Sequence, residues 1–205
     1  MLHGAGSSPE FVQRAFGPRT RALGWDLVAP DVRGLSMAQM VAAISAAQPD
    51  VLGGVSLGAH AAALFAAQWH GPLYAVMPAW MGQPKAVAAL TCHTADEISE
   101  LGVSAVLDRI RLLGDDWIVR ELERAWRARP EIADDLRVAA SQPAPGTAEL
   151  GRITGPVTIV ALADDPTHPL AVAQQWAAAM AHSELHVLPR DLAGRAPQAL
   201  ADFLP

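Results

Sequence analysis

The stretch that decides the fold is Val51-Leu52-Gly53-Gly54-Val55-Ser56-Leu57-Gly58-Ala59-His60. It holds the pattern G-x-S-x-G between an apolar run and an Ala-rich segment of helical composition, 59–69. A serine at such a sharp turn from strand to helix has a strained backbone and presents its hydroxyl above the sheet. Gly54 and Gly58 fit a turn in which strand and helix pack so closely that a Cβ would clash. The pattern predicts that Ser56 is a nucleophile, and a structural or phosphate-binding turn is the alternative.

A second glycine pattern opens the chain, where His3-Gly4-Ala5-Gly6 reads H-G-x-G. Glycines let such a loop turn a backbone N–H toward a carbonyl oxygen. Together the two patterns resemble the α/β-hydrolases, in which this loop supplies one of two donors that bind the oxyanion. The resemblance implies that the amides of Ala5 and Leu57 are these donors. His3 is expected to anchor the loop, and a direct catalytic role is the alternative.

The order of elements extends the resemblance over nearly the whole chain. We therefore expect an α/β fold, a three-layer sandwich with a mostly parallel sheet, in one domain spanning 1–205. Besides the run before Ser56, the expected strands are 25–30, 72–77, 156–162 and 184–188. The expected helices outside the middle of the chain are 9–23, 37–47, 59–69, 170–181 and 196–204.

Residues from about 81 to 151 predict a helical cap inserted between two strands. Helical stretches are expected at 86–90, 95–101, 104–113, 117–128 and 131–141, with turns rich in Gly, Pro and Asp between them. The resemblance implies that this insert covers the active site. Trp80, Trp117 and Trp126 are expected either to line an apolar pocket beneath the cap or to fasten the cap to the body.

The resemblance also implies an acid just after the strand 156–162, four residues before a proline. Asp165 has this offset from Pro169, and Asp164 is the fallback. A carboxylate at this place would orient a histidine that becomes positively charged during the reaction.

The histidine that the resemblance implies after the last strand is missing. That loop, 189–195, contains no histidine, and Arg195 follows its glycine. Arginine stays protonated and cannot act as a base. His168, beside Asp165 at the same edge of the sheet, is the best replacement by position, and a structural loop histidine is the alternative. Four other histidines have other expected places: His182 at the surface, His186 in the last strand, His60 on the helix after Ser56 and His93 in the cap.

Only Met1 and Leu2 precede the opening loop, too few for a typical strand of roughly 5–6 residues. We expect the chain to lack the first strands of the fold, through a start placed too late or through a deletion. The missing strands would expose a sheet edge near 25–30, and exposed edges invite pairing. A homodimer through that edge is therefore a hypothesis.

The composition argues against several classes of function. The formal net charge of the 205 residues is −6 with no basic cluster, so nucleic acid is not an expected partner. No apolar run approaches the roughly 20 residues that span a bilayer, and the first residues do not form a signal peptide. The single cysteine, Cys92, suits a reducing cytoplasm, and nothing indicates a metal or an organic cofactor.

Two functions remain open. The first is a serine hydrolase that acts on a small carboxylic ester or thioester through a Ser56 acyl-enzyme. Asp165 and His168 are the other candidate catalytic residues. The second is a catalytically degenerate protein of the same fold that binds a small apolar ligand or a protein partner.

Overall fold

Four parallel strands form the sheet of the protein, described by a computed structural model for residues 1–83, 86–113 and 117–205. In chain order and in space they are β1 Leu52–Val55, β2 Leu73–Val76, β3 Val157–Leu162 and β4 Ser183–Leu188. The register aligns Leu52 with Leu73 and Val157 with Ser183, so the carboxyl ends of the strands meet at one edge. The strand predictions at 72–77, 156–162 and 184–188 are confirmed to within one or two residues.

Helices pack on both faces of this sheet. The α-helices are α1 Pro9–Ala22, α2 Met37–Ala47, α3 Leu57–Ala66, α4 Ala86–Leu101, α5 Val103–Leu113, α6 Trp117–Arg127, α7 Ile132–Ser141, α8 Thr147–Leu150 and α9 Leu170–Ala179. On one face, α2 and α3 bury their side chains with α9 against β1, β2 and β3; on the other, α1 packs with the last residues of the chain. No helix in the part described has the length and apolar character that a membrane crossing requires.

The expected close packing at the turn from β1 to α3 is confirmed. A Cβ on Gly54 would lie 2.1 Å from the carbonyl oxygen of Gly58. A Cβ on Gly58 would lie 2.6 Å from the carbonyl oxygen of Leu2. Both contacts are with backbone, which cannot move aside, so glycine is required at both positions.

The strand expected at 25–30 is wrong, because these residues are irregular. Leu2 forms one parallel bridge with Gly54, and the amine of Met1 donates to the Val28 carbonyl at 2.9 Å. A cavity of about 530 Å³ separates 24–28 from 47–53. Within the described chain, residues 25–30 therefore have no adjacent strand with which to form a ladder.

The chain between β2 and β3 is helical, as expected. The stretches expected at 86–90 and 95–101 belong to one continuous helix, α4, because no proline or glycine interrupts it. Helices α4 to α7 share a small core of their own around Leu107, Trp126 and Leu136. The parts of the expected cap at 84–85 and 114–116 lie outside the described residues, and the division into one domain with a cap at about 81–151 stays a prediction.

The helix expected at 196–204 is wrong. Only a 3₁₀ turn, Gln198–Ala201, forms there, preceded by another at Leu192–Gly194. The carbonyl of Leu200 instead accepts the hydroxyl of the buried Tyr74 at 2.7 Å, while Arg195 pairs with Asp202. Tertiary contacts thus override the helical composition of this segment.

Candidate active site

Ser56 stands between β1 and α3 in strained backbone geometry. Its φ of 53° and ψ of −118° lie outside the regions that L-residues prefer. The amide of Ser56 donates to the carbonyl of Val76 at 2.9 Å, which fixes the turn at the carboxyl edge of the sheet. The side chain remains partly exposed. The strain therefore presents the hydroxyl at the edge where the loops after β2, β3 and β4 also emerge.

His168, from the loop after β3, contacts this hydroxyl. The Nε2 atom of His168 lies 3.0 Å from Ser56 Oγ, and its Nδ1 atom lies 2.8 Å from Asp165 Oδ2. The His168 side chain is only 18% exposed and that of Asp165 is fully buried. Serine, imidazole and carboxylate thus form one continuous chain of hydrogen bonds, with all three groups within reach of the next.

Asp165 is ionised in this arrangement. Burial opposes its ionisation, but His168 and the hydroxyl and amide of Thr167 hydrogen bond to it and outweigh that penalty, so its pKa lies well below the usual value. Asp164, the fallback acid, is exposed and has a φ of 56°. Of the two neighbouring carboxylates, the chain brings Asp165 to the histidine.

The opening loop lies against the serine. A Cβ on Gly4 would be 3.1 Å from Ser56 Cβ and 3.7 Å from Ser56 Oγ, so a larger residue would crowd the hydroxyl. The ring of His3 is buried: its Nδ1 bonds the Gly4 carbonyl at 2.8 Å, and its Nε2 accepts from the Val32 amide at 3.0 Å. Burial lowers the pKa of His3, which keeps the ring neutral.

The bond from His3 also orients an amide. The Gly4 carbonyl and the Ala5 N–H belong to one planar trans peptide and point in opposite directions. Fixing the carbonyl on His3 therefore fixes the Ala5 N–H on the other side. Among the described residues, neither this amide nor that of Leu57, the first residue of α3, donates a hydrogen bond.

His60, on α3 one turn after Ser56, is fully buried. Its Nε2 accepts from the amides of Ala79 at 3.1 Å and Trp80 at 3.4 Å, so the proton of the neutral ring is on Nδ1. Burial, and secondarily the neighbouring His168, lower the pKa of His60 to about 3. His60 thus holds the segment after β2 in place and stays neutral. The sequence interpretation placed it outside the site and missed this role.

The tryptophans expected at the cap have different functions. The indole N–H of Trp126 donates to the Gly6 carbonyl at 3.1 Å, and that of Trp117 to the Arg190 carbonyl at 2.8 Å. These two residues bind α6 to the opening loop and to the loop after β4. Trp80 belongs to the segment after β2, where its carbonyl accepts the indole N–H of Trp176 at 3.2 Å.

Solved structures have the same architecture. The chain aligns over 92% of its length with 80% of a carboxylesterase of the thaumarchaeon Nitrososphaera gargenis, at 13% identity and a TM-score of 0.73. It aligns over 91% with 81% of the enol-lactonase of Burkholderia xenovorans LB400, at 14% identity and a TM-score of 0.69. It aligns over 92% with 79% of a thermophilic esterase of Thermogutta terrifontis, at 15% identity and a TM-score of 0.67. The chain has the α/β-hydrolase fold.

The expected fold class is thereby confirmed, and at these identities the likeness concerns the fold alone. No protein-family model and no curated protein matches the chain. The α/β-hydrolase fold accounts for the position of the turn at Ser56 and of the loops that surround it. Chemistry must be argued from the residues in those loops.

Four other histidines lie outside this chain of hydrogen bonds, and Nδ1 of His70 contacts the Thr154 hydroxyl at 2.7 Å. His182 is exposed, as expected, and His186 stacks on Phe203 with ring centres 3.8 Å apart. His93 pairs with Glu97 within α4. Among the described residues, no group of three or more His, Cys, Asp or Glu side chains could hold a metal ion.

Two further residues of the site were not singled out from the sequence. Thr167 bonds Asp165, and Arg190 lies with Nη1 3.8 Å from Asp165 Oδ1. Arg190 comes from the loop after β4, the position where the resemblance implies a histidine. The spacing Asp-x-x-His was a usable signal, since residues three apart in a tight turn can face each other.

Proposed function

We propose that the protein is a serine hydrolase that acts on a small carboxylic ester or thioester through a Ser56 acyl-enzyme. One observation carries the proposal: Ser56 Oγ, the His168 ring and the Asp165 carboxylate are joined by contacts of 3.0 and 2.8 Å. A serine hydroxyl is a weak nucleophile unless a neighbouring base takes its proton.

In the proposed reaction, Ser56 Oγ attacks the acyl carbon and gives its proton to Nε2 of His168. Asp165 accepts the Nδ1–H and stabilises the imidazolium that forms. The amides of Leu57 and Ala5 donate to the oxyanion of the tetrahedral intermediate. His168 then protonates the leaving alcohol or thiol. The same ring next takes a proton from a water molecule that attacks the acyl carbon, and it returns that proton to Ser56 Oγ as the carboxylic acid leaves.

The substrate class follows from the chemistry of acyl transfer and from the neighbours. Structures of similar fold include a carboxylesterase and an enol-lactonase, and their names support an ester as the substrate proposed here. No metal or organic cofactor enters the proposal.

The test is hydrolysis of short-chain p-nitrophenyl esters by the wild type and by Ser56→Ala. We expect turnover by the wild type and its loss to the level of the non-enzymatic reaction in the variant. Equal turnover in the two would exclude Ser56 as the nucleophile. Ser183→Ala, whose hydroxyl bonds carbonyls near the end of α9, is the matched control.

The alternative function, a degenerate protein that binds a small apolar ligand or a protein partner, rests on the absent histidine of the loop 189–195 and on the shortened sheet. The contact between His168 and Ser56 weakens the first of these grounds. A cytoplasmic location, argued from the single Cys92, stays a prediction to be checked by fractionation. A homodimer also stays a prediction, to be checked by light scattering, although residues 25–30 form no strand through which it could pair.

A further inference from the structure

The loop after β3 carries both the acid, Asp165, and the base, His168, only three residues apart. To reach His168, the carboxylate of Asp165 must turn back over its own loop rather than across to another one. The two oxygens of the Asp165 carboxylate therefore have different partners. Oδ2 contacts the imidazole at 2.8 Å, and Oδ1 contacts the backbone of the turn.

Oδ1 of Asp165 is surrounded by donors. It accepts from the amides of Thr167 at 2.9 Å and His168 at 3.3 Å and from the hydroxyl of Thr167 at 2.7 Å. A guanidinium nitrogen of Arg190 lies 3.8 Å away. With Oδ1 held in this way, the carboxylate cannot rotate, and Oδ2 stays directed at the ring.

The hydroxyl of Thr167 contacts both members of the pair. Its single proton is donated to Asp165 Oδ1, the shorter contact. Its oxygen lies 3.1 Å from Nδ1 of His168 and can therefore share the Nδ1–H with Asp165 Oδ2. One side chain thus fixes the carboxylate and the tilt of the imidazole, on which the direction of Nε2 toward Ser56 depends.

We propose that Thr167 is a positioning residue for the acid and base of this site, acting through its hydroxyl. The proposal rests on the proposed function for its consequence in catalysis. Thr167 itself lies at the surface, so replacing it by an isosteric side chain requires no repacking of the core. The effect of the hydroxyl can then be separated from an effect on folding.

The kinetic test compares Thr167→Val, which removes the hydroxyl, with Thr167→Ser, which keeps it. Losing one hydrogen bond to a charged group corresponds to roughly a 10- to 100-fold loss. We expect that loss in kcat for Thr167→Val, with KM within about twofold and activity retained in Thr167→Ser. Thr94→Val is the matched control, because the Thr94 hydroxyl donates to the Leu90 carbonyl of its own helix. Equal kcat in Thr167→Val and Thr94→Val, or an equal loss in the Ser variant, would overturn the proposal.

A second readout does not need turnover. In protein with ¹⁵N-labelled histidine, the Nδ1–H of His168, assigned with His168→Gln, should resonate at low field because Asp165 accepts it. We expect Thr167→Val to move this resonance and speed its exchange with water, and Thr167→Ser to leave it in place. An unchanged resonance in Thr167→Val overturns the proposal. If the wild type hydrolyses no ester but Thr167→Val still moves the resonance, the proposed function is rejected and this inference stands.

Discussion

Two loops at the carboxyl edge of the sheet differ in what they bring to Ser56. The loop after β3 supplies Asp165 and His168, and the ring touches the serine at 3.0 Å. The loop after β4, where the resemblance implies the base, supplies Arg190, which lies 3.8 Å from Asp165. A base can come from either loop, because both emerge at the same edge within reach of the same turn.

The comparison shows that the position of the functional group in space matters more than its place in the chain. In a parallel sheet, neighbouring carboxyl ends bring several loops to one point. Here the acid and the base lie on one loop, and Thr167 and the amides of that turn hold the carboxylate toward the base.

The largest effect expected from this comparison is the loss of the base. His168→Ala should lower kcat for ester hydrolysis on the order of 10⁶-fold, because Ser56 then has no group to take its proton. His182→Ala, an exposed histidine just before β4, should leave kcat unchanged. Steady-state kinetics on one p-nitrophenyl ester would measure both, and near-wild-type turnover by His168→Ala would show that the loop after β3 does not supply the base.

The next effect separates two neighbouring aspartates. Asp165→Asn should lower kcat by about 10⁴-fold, because the amide cannot stabilise the imidazolium and favours the wrong tautomer. Asp164→Asn, at an exposed position, should change kcat less than about threefold. The same assay compares them, and a similar loss in both variants would assign the effect to the loop fold rather than to the carboxylate.

The buried His60, one turn after Ser56, should make the stability of the protein depend on pH. An unfolded chain protonates His60 near pH 6.5, whereas the folded one does so only near its pKa of about 3. The unfolded state therefore binds more protons between these values, and His60 lowers the free energy of unfolding by roughly 1.4 kcal/mol for each pH unit below 6.5. Urea denaturation from pH 8 to pH 4 should show this slope in the wild type.

His60→Gln is the matched variant for that measurement, because its side-chain oxygen can still accept from the amides of Ala79 and Trp80. We expect its stability to fall less steeply below pH 6.5 than that of the wild type. Parallel curves for the two proteins would mean that His60 titrates normally in the folded state.

The smallest expected effect concerns the loop after β4. Arg190→Gln should lower kcat by less than about tenfold, since the guanidinium lies 3.8 Å from a carboxylate that other donors already hold. The loss should diminish as salt is raised, because a partly exposed charge is screened. A loss as large as that of Asp165→Asn would place the loop after β4 at the centre of the chemistry.

Much of the architecture could be predicted from short-range signals. The apolar run at 156–162 and the glycines around Ser56 identify a parallel strand and a tight turn without further knowledge. The segment 25–30 could not be assigned, because strand composition yields a strand only where a partner completes the ladder. The helix predicted at 196–204 does not form for a related reason, because the Leu200 carbonyl, which a helix would use, accepts the Tyr74 hydroxyl.

Less of the site than of the fold could be predicted from the sequence. Asp165 followed from the resemblance, through its offset to Pro169. His168 was suggested by its place beside Asp165, because no pattern says which histidine turns toward a serine 112 residues away. Thr167 and His60 act through distances and burial, for which a single sequence carries no signal.

The most direct test of the account is the rate at which a fluorophosphonate labels the protein, measured by intact mass with peptide mapping. If His168 activates Ser56, the wild type and His182→Ala should be labelled rapidly, stoichiometrically and at Ser56. Labelling of His168→Ala should then be slower by several powers of ten. Equal labelling rates in the wild type and His168→Ala, or no labelling of the wild type at Ser56, would contradict it.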